Sequence, residues 1–286
     1  MYDTILVPTD GSEHAHRATE HALYLADVFG SSVNAVYVTE EEHADEGEDP
    51  AERAQRVLAE VEAAAGDPSR VRTAVLEGDP SDAIVEYADE FGADLLAMGT
   101  HGRTGVNRYV AGSVTESVLR RSDAPVLTAR ATERGFPEAG YDDILVPTDG
   151  SEASATALAH AIEIGGAVDA TLHAVNVVDA GGARASPRFT LPSEMLTEFE
   201  SIGEAATEEF ADSARDAGLD AVSVVREGAA ASSLLSYVDE EGIDLVTMGT
   251  QGRTGIDRYL LGSTTERLVR HSPAPVVAVN AREESD

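Results

Sequence analysis

The chain has 286 residues, 42% of them apolar and none of them cysteine, which is enough for two domains of ordinary size and excludes disulfides, thiolate catalysis and cysteine-ligated zinc. Its 53 acidic residues face 20 basic ones, all arginine, for a formal net charge of −33 spread over both halves, with 27 acidic residues and 11 Arg in 1–140 and 26 and 9 in 141–286. An even acidic coat makes a nucleic-acid backbone or an anionic membrane a poor partner, and the lack of lysine excludes a P-loop, a kinase-type strand lysine and a Schiff base.

In chain order, an apolar strand is predicted over 4–7. No basic start or small-residue cleavage site precedes it, and no apolar run approaches the roughly 18 residues of a membrane span, so a cytoplasmic protein is expected. Helical spacing follows over 12–29, with Ala15, Ala18, Ala22 and Leu25 on one face. A strand is predicted over 31–38, an acidic loop over 40–50, a helix over 51–65 and a strand over 71–76. Asp79-Pro80 supplies a cap and a first helical residue for a helix running to Phe91. A strand over 94–98, a helix over 113–121 and a strand over 125–129 complete the first half.

The second half repeats this order. The segment from Ile5 to Glu13 returns identically from Ile144 to Glu152, at an offset of 139, whereas the glycine loop described below returns at an offset of 150. The eleven extra residues are expected around 180–194, in a loop and the start of the next helix. Such a period is too long for a solenoid and indicates two homologous domains, 1–131 and 142–286, joined by a linker over 132–141 that contains Gly135, Pro137 and Gly140. Five strands with helical crossovers give each domain an α/β fold with a parallel sheet covered on both faces.

Two features sit at strand carboxyl ends, where such sheets bind ligands. The first is Asp10, and Asp149 in the second half, whose carboxylate is suited to ribose hydroxyls or, alternatively, only caps the helix after it. The second is Met98-Gly99-Thr100-His101-Gly102-Arg103-Thr104-Gly105, closed by Gly112-Ser113, and its copy Met248-Gly249-Thr250-Gln251-Gly252-Arg253-Thr254-Gly255, closed by Gly262-Ser263. The form G-x2-G-x9-G-S reads as a phosphate cradle: glycines let backbone approach an anion, and a helix start offers unpaired N–H groups. Ser113-Val114-Thr115-Glu116 and Ser263-Thr264-Thr265-Glu266 also read as capping boxes, which would satisfy part of those amides. Arg103 and Arg108, with Arg253 and Arg258, flank the loops and either pair with phosphates or with surface carboxylates. His101 is Gln251 in the second copy, which weighs against a general base common to both. Met98 and Met248 either flank an adenine or simply fill the core. The other histidines, His14, His16, His21, His43, His160, His173 and His271, show no metal-ligand spacing and are read as solvated or packing residues.

On these two landmarks, each present twice and in order, the chain resembles a tandem universal stress protein of the ATP-binding branch, along nearly its whole length. The resemblance implies Rossmann-like, adenine nucleotide alpha hydrolase-like domains with strand order 3-2-1-4-5. It implies that Pro8, Thr9, Val38 and Met98 line an adenine pocket, with Pro147, Thr148, Val177 and Met248 in the second site. It gives Asp10 and Asp149 the ribose. It gives Gly99, Gly102, Gly112, Ser113 and Val114 the phosphates, and Gly249, Gly252, Gly262, Ser263 and Thr264 the same task in the other half. His101, Arg103, Gln251 and Arg253 belong to the same loops. The implied ligand is ATP (or AMP/ADP) with Mg²⁺ or Mn²⁺ bridging phosphates. Val114 against Thr264 leaves equal affinity at the two sites open. Family members pair through the last strand, which implies a pseudo-dimer within one chain and, further, a homodimer of tandem chains.

The expected function is that of a regulatory nucleotide-binding protein in stress tolerance. A slow ATPase or adenylating enzyme and a nucleotide-free interaction module are the alternatives. The acidic coat without lysine reads as that of a halophilic archaeon. Dilution from molar KCl to about 0.1 M lengthens screening from about 3 to about 10 Å, so the thermal midpoint is expected to fall. An unchanged midpoint in scanning calorimetry would remove the halophile reading.

Overall fold

The computed structural model describes residues 1–39, 49–102, 113–132, 140–178, 193–252 and 261–280. The chain divides into two compact units, Met1–Phe136 and Pro137–Asp286. The apolar runs that open each half become central strands because every side chain on them is removed from water. Ile5, Leu6 and Val7 in β1 (Thr4–Pro8) are fully buried, as are Leu95, Leu96 and Ala97 in β4 (Leu95–Gly99). Burial on both faces requires helices above and below the sheet.

In the first unit those helices are α1 (Glu13–Phe29), α2 (Pro50–Ala64), α3 (Pro80–Phe91) and α4 (Ser113–Arg121). They connect β1, β2 (Ser32–Thr39), β3 (Val71–Glu77), β4 and β5 (Val126–Ala129). The strands lie in the order β3-β2-β1-β4-β5, and every pair is parallel. The second unit repeats the arrangement with β6 (Asp143–Pro147), α5 (Glu152–Val168), β7 (Thr171–Val178), α6 (Ser193–Asp216), β8 (Ala221–Glu227), α7 (Ala230–Glu240), β9 (Leu245–Gly249), α8 (Ser263–His271) and β10 (Val276–Val279). Its order is β8-β7-β6-β9-β10, again all parallel. In each unit the chain reverses direction across the sheet between its first and fourth strands, which leaves a crevice at their carboxyl ends.

Asp79 caps α3 as its sequence predicts, accepting from Ser81 and Asp82 amides with Pro80 in the first turn. The Ser81 hydrogen bonds hold its carboxyl below the ordinary value. The equivalent start of α7 is Ala229, which makes no side-chain cap. The insertion in the second half goes largely into a helix: α6 has 24 residues where α2 has 15. The remainder of the expected 180–194 stretch, and the acidic loop over 40–48, lie outside the described residues. No helix among the described residues is long and apolar enough to cross a membrane.

His173 departs from the expectation of a solvated or merely packing role. His173 on β7 is buried, and both ring nitrogens are bonded: Nε2 lies 2.9 Å from Asp143 Oδ1 and Nδ1 lies 2.7 Å from the Tyr237 hydroxyl. The Arg226 guanidinium covers the Tyr237 ring at 4.6 Å, and burial pushes the Tyr237 hydroxyl up to about 12. The first unit has Asn34 at the matching place, so this Asp-His-Tyr chain belongs to the second unit alone. Tyr237→Phe is expected to cost the second unit about 1 kcal/mol, and His173→Ala more, because it leaves the buried Tyr237 hydroxyl and the half-buried Asp143 carboxylate without their ring partner. Hydrogen exchange should report the loss on peptides of β6 to β8 and none on β1 to β3; equal loss in both units would refute the assignment.

Candidate functional site

Each site is assembled from the turn after the first strand and the loop after the fourth. The Thr9 amide still donates to Val36 O at 2.9 Å, so the turn starts from a fixed strand end. Asp10 Oδ1 then accepts the Ser12 amide at 3.0 Å and Thr9 Oγ1 accepts that of Gly11 at 3.3 Å, while Gly11 takes a φ of 75° that favours glycine. The second unit matches it, with Ser151 N–H to Asp149 Oδ1 at 3.0 Å, Gly150 N–H to Thr148 Oγ1 at 3.1 Å and Gly150 at φ 75°. The helix cap in each case is the serine: Ser12 accepts from Ala15 N and Ser151 from Ser154 N. Asp10 and Asp149 therefore shape the turn with one carboxylate oxygen and do not cap α1 or α5 themselves.

The second oxygen meets the glycine loop. A Cβ on Gly102 would lie 2.8 Å from Asp10 Oδ2, and one on Gly252 would lie 2.6 Å from Asp149 Oδ2. Acid and loop are thus brought together twice, and the second glycine of the motif is what lets them meet. The first glycine has a packing reason of its own. A Cβ on Gly99 would lie 2.7 Å from the Ala15 nitrogen and from the His14 carbonyl carbon, and one on Gly249 2.8 Å from Ala153. The start of α1 or α5 rests directly on the strand end there.

The loop's far side is held by a threonine that sequence reasoning did not single out. Thr115 Oγ1 donates to Gly99 O at 2.8 Å, and Thr265 Oγ1 to Gly249 O at 2.9 Å. The signal was available, since Ser-x-Thr-Glu occurs in both copies. The capping-box expectation is corrected. Ser263 is the first residue of α8; the cap is Gly262, extended at φ −62° and ψ 142°, and no side chain bonds the helix amides there. Gly262 N–H donates to Thr250 O at 2.7 Å, and the first intrahelical bond is Glu266 N–H to Gly262 O. Glu266 turns instead to Arg270 at 2.5 Å, and Glu116 to Arg120. The first-turn amides of α8 thus carry no side-chain cap, which is the state an anion at a helix N-terminus requires.

Around this junction Thr9 and Thr148 are buried, as are Pro8 and Pro147, while Val38 and Val177 are half-buried and Ser113 and Ser263 exposed. Val114 and Thr264 are half-buried in the first turn of α4 and α8. Met98 and Met248 are 4% and 5% exposed, so they form the floor of the crevice rather than a wall. Arg103, Gly112 and Arg253, with Arg108 and Arg258, lie outside the described residues. His101 and Gln251 are half-buried, each directly before the second glycine, and the Ser12 hydroxyl donates to the His101 carbonyl at 3.4 Å. His14, read from sequence as solvated or packing, instead joins His101 and Thr100 in a polar cluster at the rim. Among the described residues no group of three or more His, Asp or Glu side chains is placed to hold a metal ion.

Comparison with known proteins gives a consistent family. The sequence profile of the universal stress protein family matches residues 1–130 and again 140–280. A universal stress protein of Methanocaldococcus jannaschii is 36% identical over 142 residues, which is 49% of this chain and 82% of that protein. One from Thermus aquaticus is 36% identical over 138 residues, 46% of this chain and 100% of that protein. The crystal structure of a universal stress protein from Archaeoglobus fulgidus superposes with a TM-score of 0.72, at 22% identity, covering 99% of this chain and 100% of that one, and so shares the fold.

The two glycines should fail differently. Gly99→Ala forces α1 off the strand end and is expected to destabilise the first unit by about 1–3 kcal/mol, the usual range for overpacking. Gly102→Ala meets only the far oxygen of a side chain and should cost distinctly less. Urea unfolding of the two variants checks this, and equal losses would contradict the packing role of Gly99.

Proposed function

The chain belongs to the universal stress protein family, and on that premise we propose that each unit binds one adenine nucleotide and that the protein acts as a nucleotide-responsive regulator of stress tolerance in the cytoplasm, with slow or no hydrolysis. The observation that carries this reading is the meeting of a carboxylate with a bare glycine loop beside a helix start that no side chain caps. The ligand class fits the residues present. The first-turn amides of α8, and by repetition those of α4, are donors for phosphate oxygens. Gly102 and Gly252, with Gly262, leave room for a polyphosphate, and Gly112 holds the matching place in the motif. Asp10 and Asp149 accept from ribose hydroxyls. Pro8, Thr9, Val38 and the floor residue Met98 offer an apolar berth for adenine, as do Pro147, Thr148, Val177 and Met248. ATP is the ligand of this reading, with AMP or ADP as shorter forms. Mg²⁺ or Mn²⁺ belongs to it as an ion carried by the phosphates. Pairing through the last strands, within the chain or between two chains, also remains part of the proposal.

Fast chemistry is the poorer reading. The chain has no lysine, and the loop imidazole of the first unit is Gln251 in the second. Single-turnover hydrolysis of Mg²⁺-ATP in molar KCl faster than about 1 s⁻¹, the low end of ordinary turnover, would favour an enzyme. Calorimetry in the same salt should find two ATP per chain. Asp10→Ala is expected to weaken ATP at the first site by roughly tenfold or more, as the loss of a charge-assisted hydrogen bond implies, and to leave pyrophosphate nearly unchanged. Equal weakening of both ligands would remove the ribose assignment, and no heat with ATP at either site would remove the nucleotide reading.

A further inference from the structure

The turn that carries the acid of the site is held differently in the two units. In both, the strand end is pinned through the threonine amide: Thr9 N–H donates to Val36 O and Thr148 N–H to Val175 O, each at 2.9 Å. In the second unit the next residue of β7 takes hold of the same threonine on its other side. Asn176 Nδ2 donates to the Thr148 carbonyl at 2.7 Å. A carbonyl only accepts, so the amide nitrogen is the end that faces it, and Oδ1 turns towards α6. Gly203 gives it room there, since a Cβ on that residue would lie 2.6 Å from Asn176 Oδ1. Glycine is a poor residue for a helix interior, and this contact is a reason for it. The Thr148 hydroxyl is held as well. It lies 3.3 Å from Ser154 Oγ, which is buried and itself donates to Ser151 O at 2.7 Å, so Thr148 is the donor between the two hydroxyls.

Peptide units are planar, so the course of the chain is set by two dihedrals at each residue. At Thr148 the planes on both sides are tied to neighbouring residues of one strand, Val175 and Asn176, and the side chain is tied to α5. The chain therefore leaves Thr148 in a fixed direction, and the residue it leads to is Asp149. The first unit has Tyr37 at the place of Asn176 and Ala15 at the place of Ser154. Tyr37 belongs to an apolar cluster of β2 with Ala54, Val57, Leu58 and Val61 of α2, and alanine has no hydroxyl. Among the described residues Thr9 has neither tether.

We propose that Asn176 is a positioning residue of the second site: with Ser154 it sets the Asp149 carboxylate in place before a ligand arrives, so that binding does not have to order the turn. The second site therefore separates ligands by the presence of a sugar more strongly than the first, although the two share the same acid and the same glycine loop. The inference rests on the nucleotide reading above, with its ribose assignment, and adds to it an inequality between the sites.

The test is calorimetry in molar KCl with Mg²⁺-ATP and with Mg²⁺-pyrophosphate, on full chains whose first loop is disabled by Gly102→Val. In that background Asn176→Ala should weaken ATP by roughly three- to tenfold, the usual scale of one lost hydrogen bond, and leave pyrophosphate nearly unchanged. A merely structural role would lower the binding-competent fraction and weaken both ligands alike. Gly203→Ala, which pushes the amide off the Thr148 carbonyl, should give the same split. It should add nothing to Asn176→Ala, where the amide it displaces is already gone. Ser154→Ala, the residue of the first unit, should give a smaller loss confined to ATP, and it decides the matter where Asn176→Ala does not fold. Loss of both ligands alike, or of neither, in a background where Asp149→Ala still weakens ATP alone, overturns the positioning role and leaves the ribose reading standing. No effect of Asp149→Ala, or no ATP binding by the unmodified chain, overturns both.

Discussion

The close seat of the first helix on the end of the fourth strand is the contact from which each site is built. Gly99 and Gly249 have no Cβ, so the backbone of α1 or α5 comes within a distance that any side chain would forbid. That contact sets where the turn after the first strand stands relative to the loop after the fourth. Asp10 then faces Gly102, and Asp149 faces Gly252, without a side chain between them. Thr115 and Thr265 tie the helix that closes the loop back to the same strand end. Three segments distant in sequence converge because one residue at the strand terminus is small.

Much of this was legible in the sequence because its signals are periodic or local. Alternating apolar runs and helical spacing gave the elements, and the Thr-Asp-Gly-Ser turn marked its own geometry through Gly11 and Gly150. The identical landmarks at two offsets gave the repeat. What was not legible depended on contacts across the fold. Gly99 reads the same as Gly102 in a motif, yet one meets a helix backbone and the other a carboxylate. Ser263 and Glu266 stand at capping-box spacing, but the helix begins one residue too early for the serine to cap it, and Arg270 takes the glutamate. His14 and His101 are 87 positions apart, so only the fold puts their rings on one hydroxyl.

The repeat also shows which parts of the site are free to vary. The turn, both close-packed glycines and the tethering threonine are the same in the two units. The residues that differ include His14 and His101 on the rim of one copy, Val114 against Thr264 in the first turn of the closing helix, and His173 with Asp143 on the strands of the other copy. A duplicated frame that holds its backbone geometry while exchanging titratable side chains gives two crevices of one shape and unlike chemistry.

Holding a polyanion on a chain of net charge −33 poses an electrostatic problem, and the way the sites are built bears on it. A lysine or arginine in the crevice would attract phosphate through a field that molar salt screens within about 3 Å. It would also be drawn to the surrounding carboxylates. A backbone amide carries no net charge, cannot be captured by a distant acid, and acts through a directional hydrogen bond at contact distance, where screening is weakest. The first turn of α8 offers such amides without a side-chain cap, and the loop before it contains no lysine. On the proposed reading, the acidic coat and a cradle of backbone amides are compatible because repulsion is long-ranged and screened while the amide grip is short-ranged and is not.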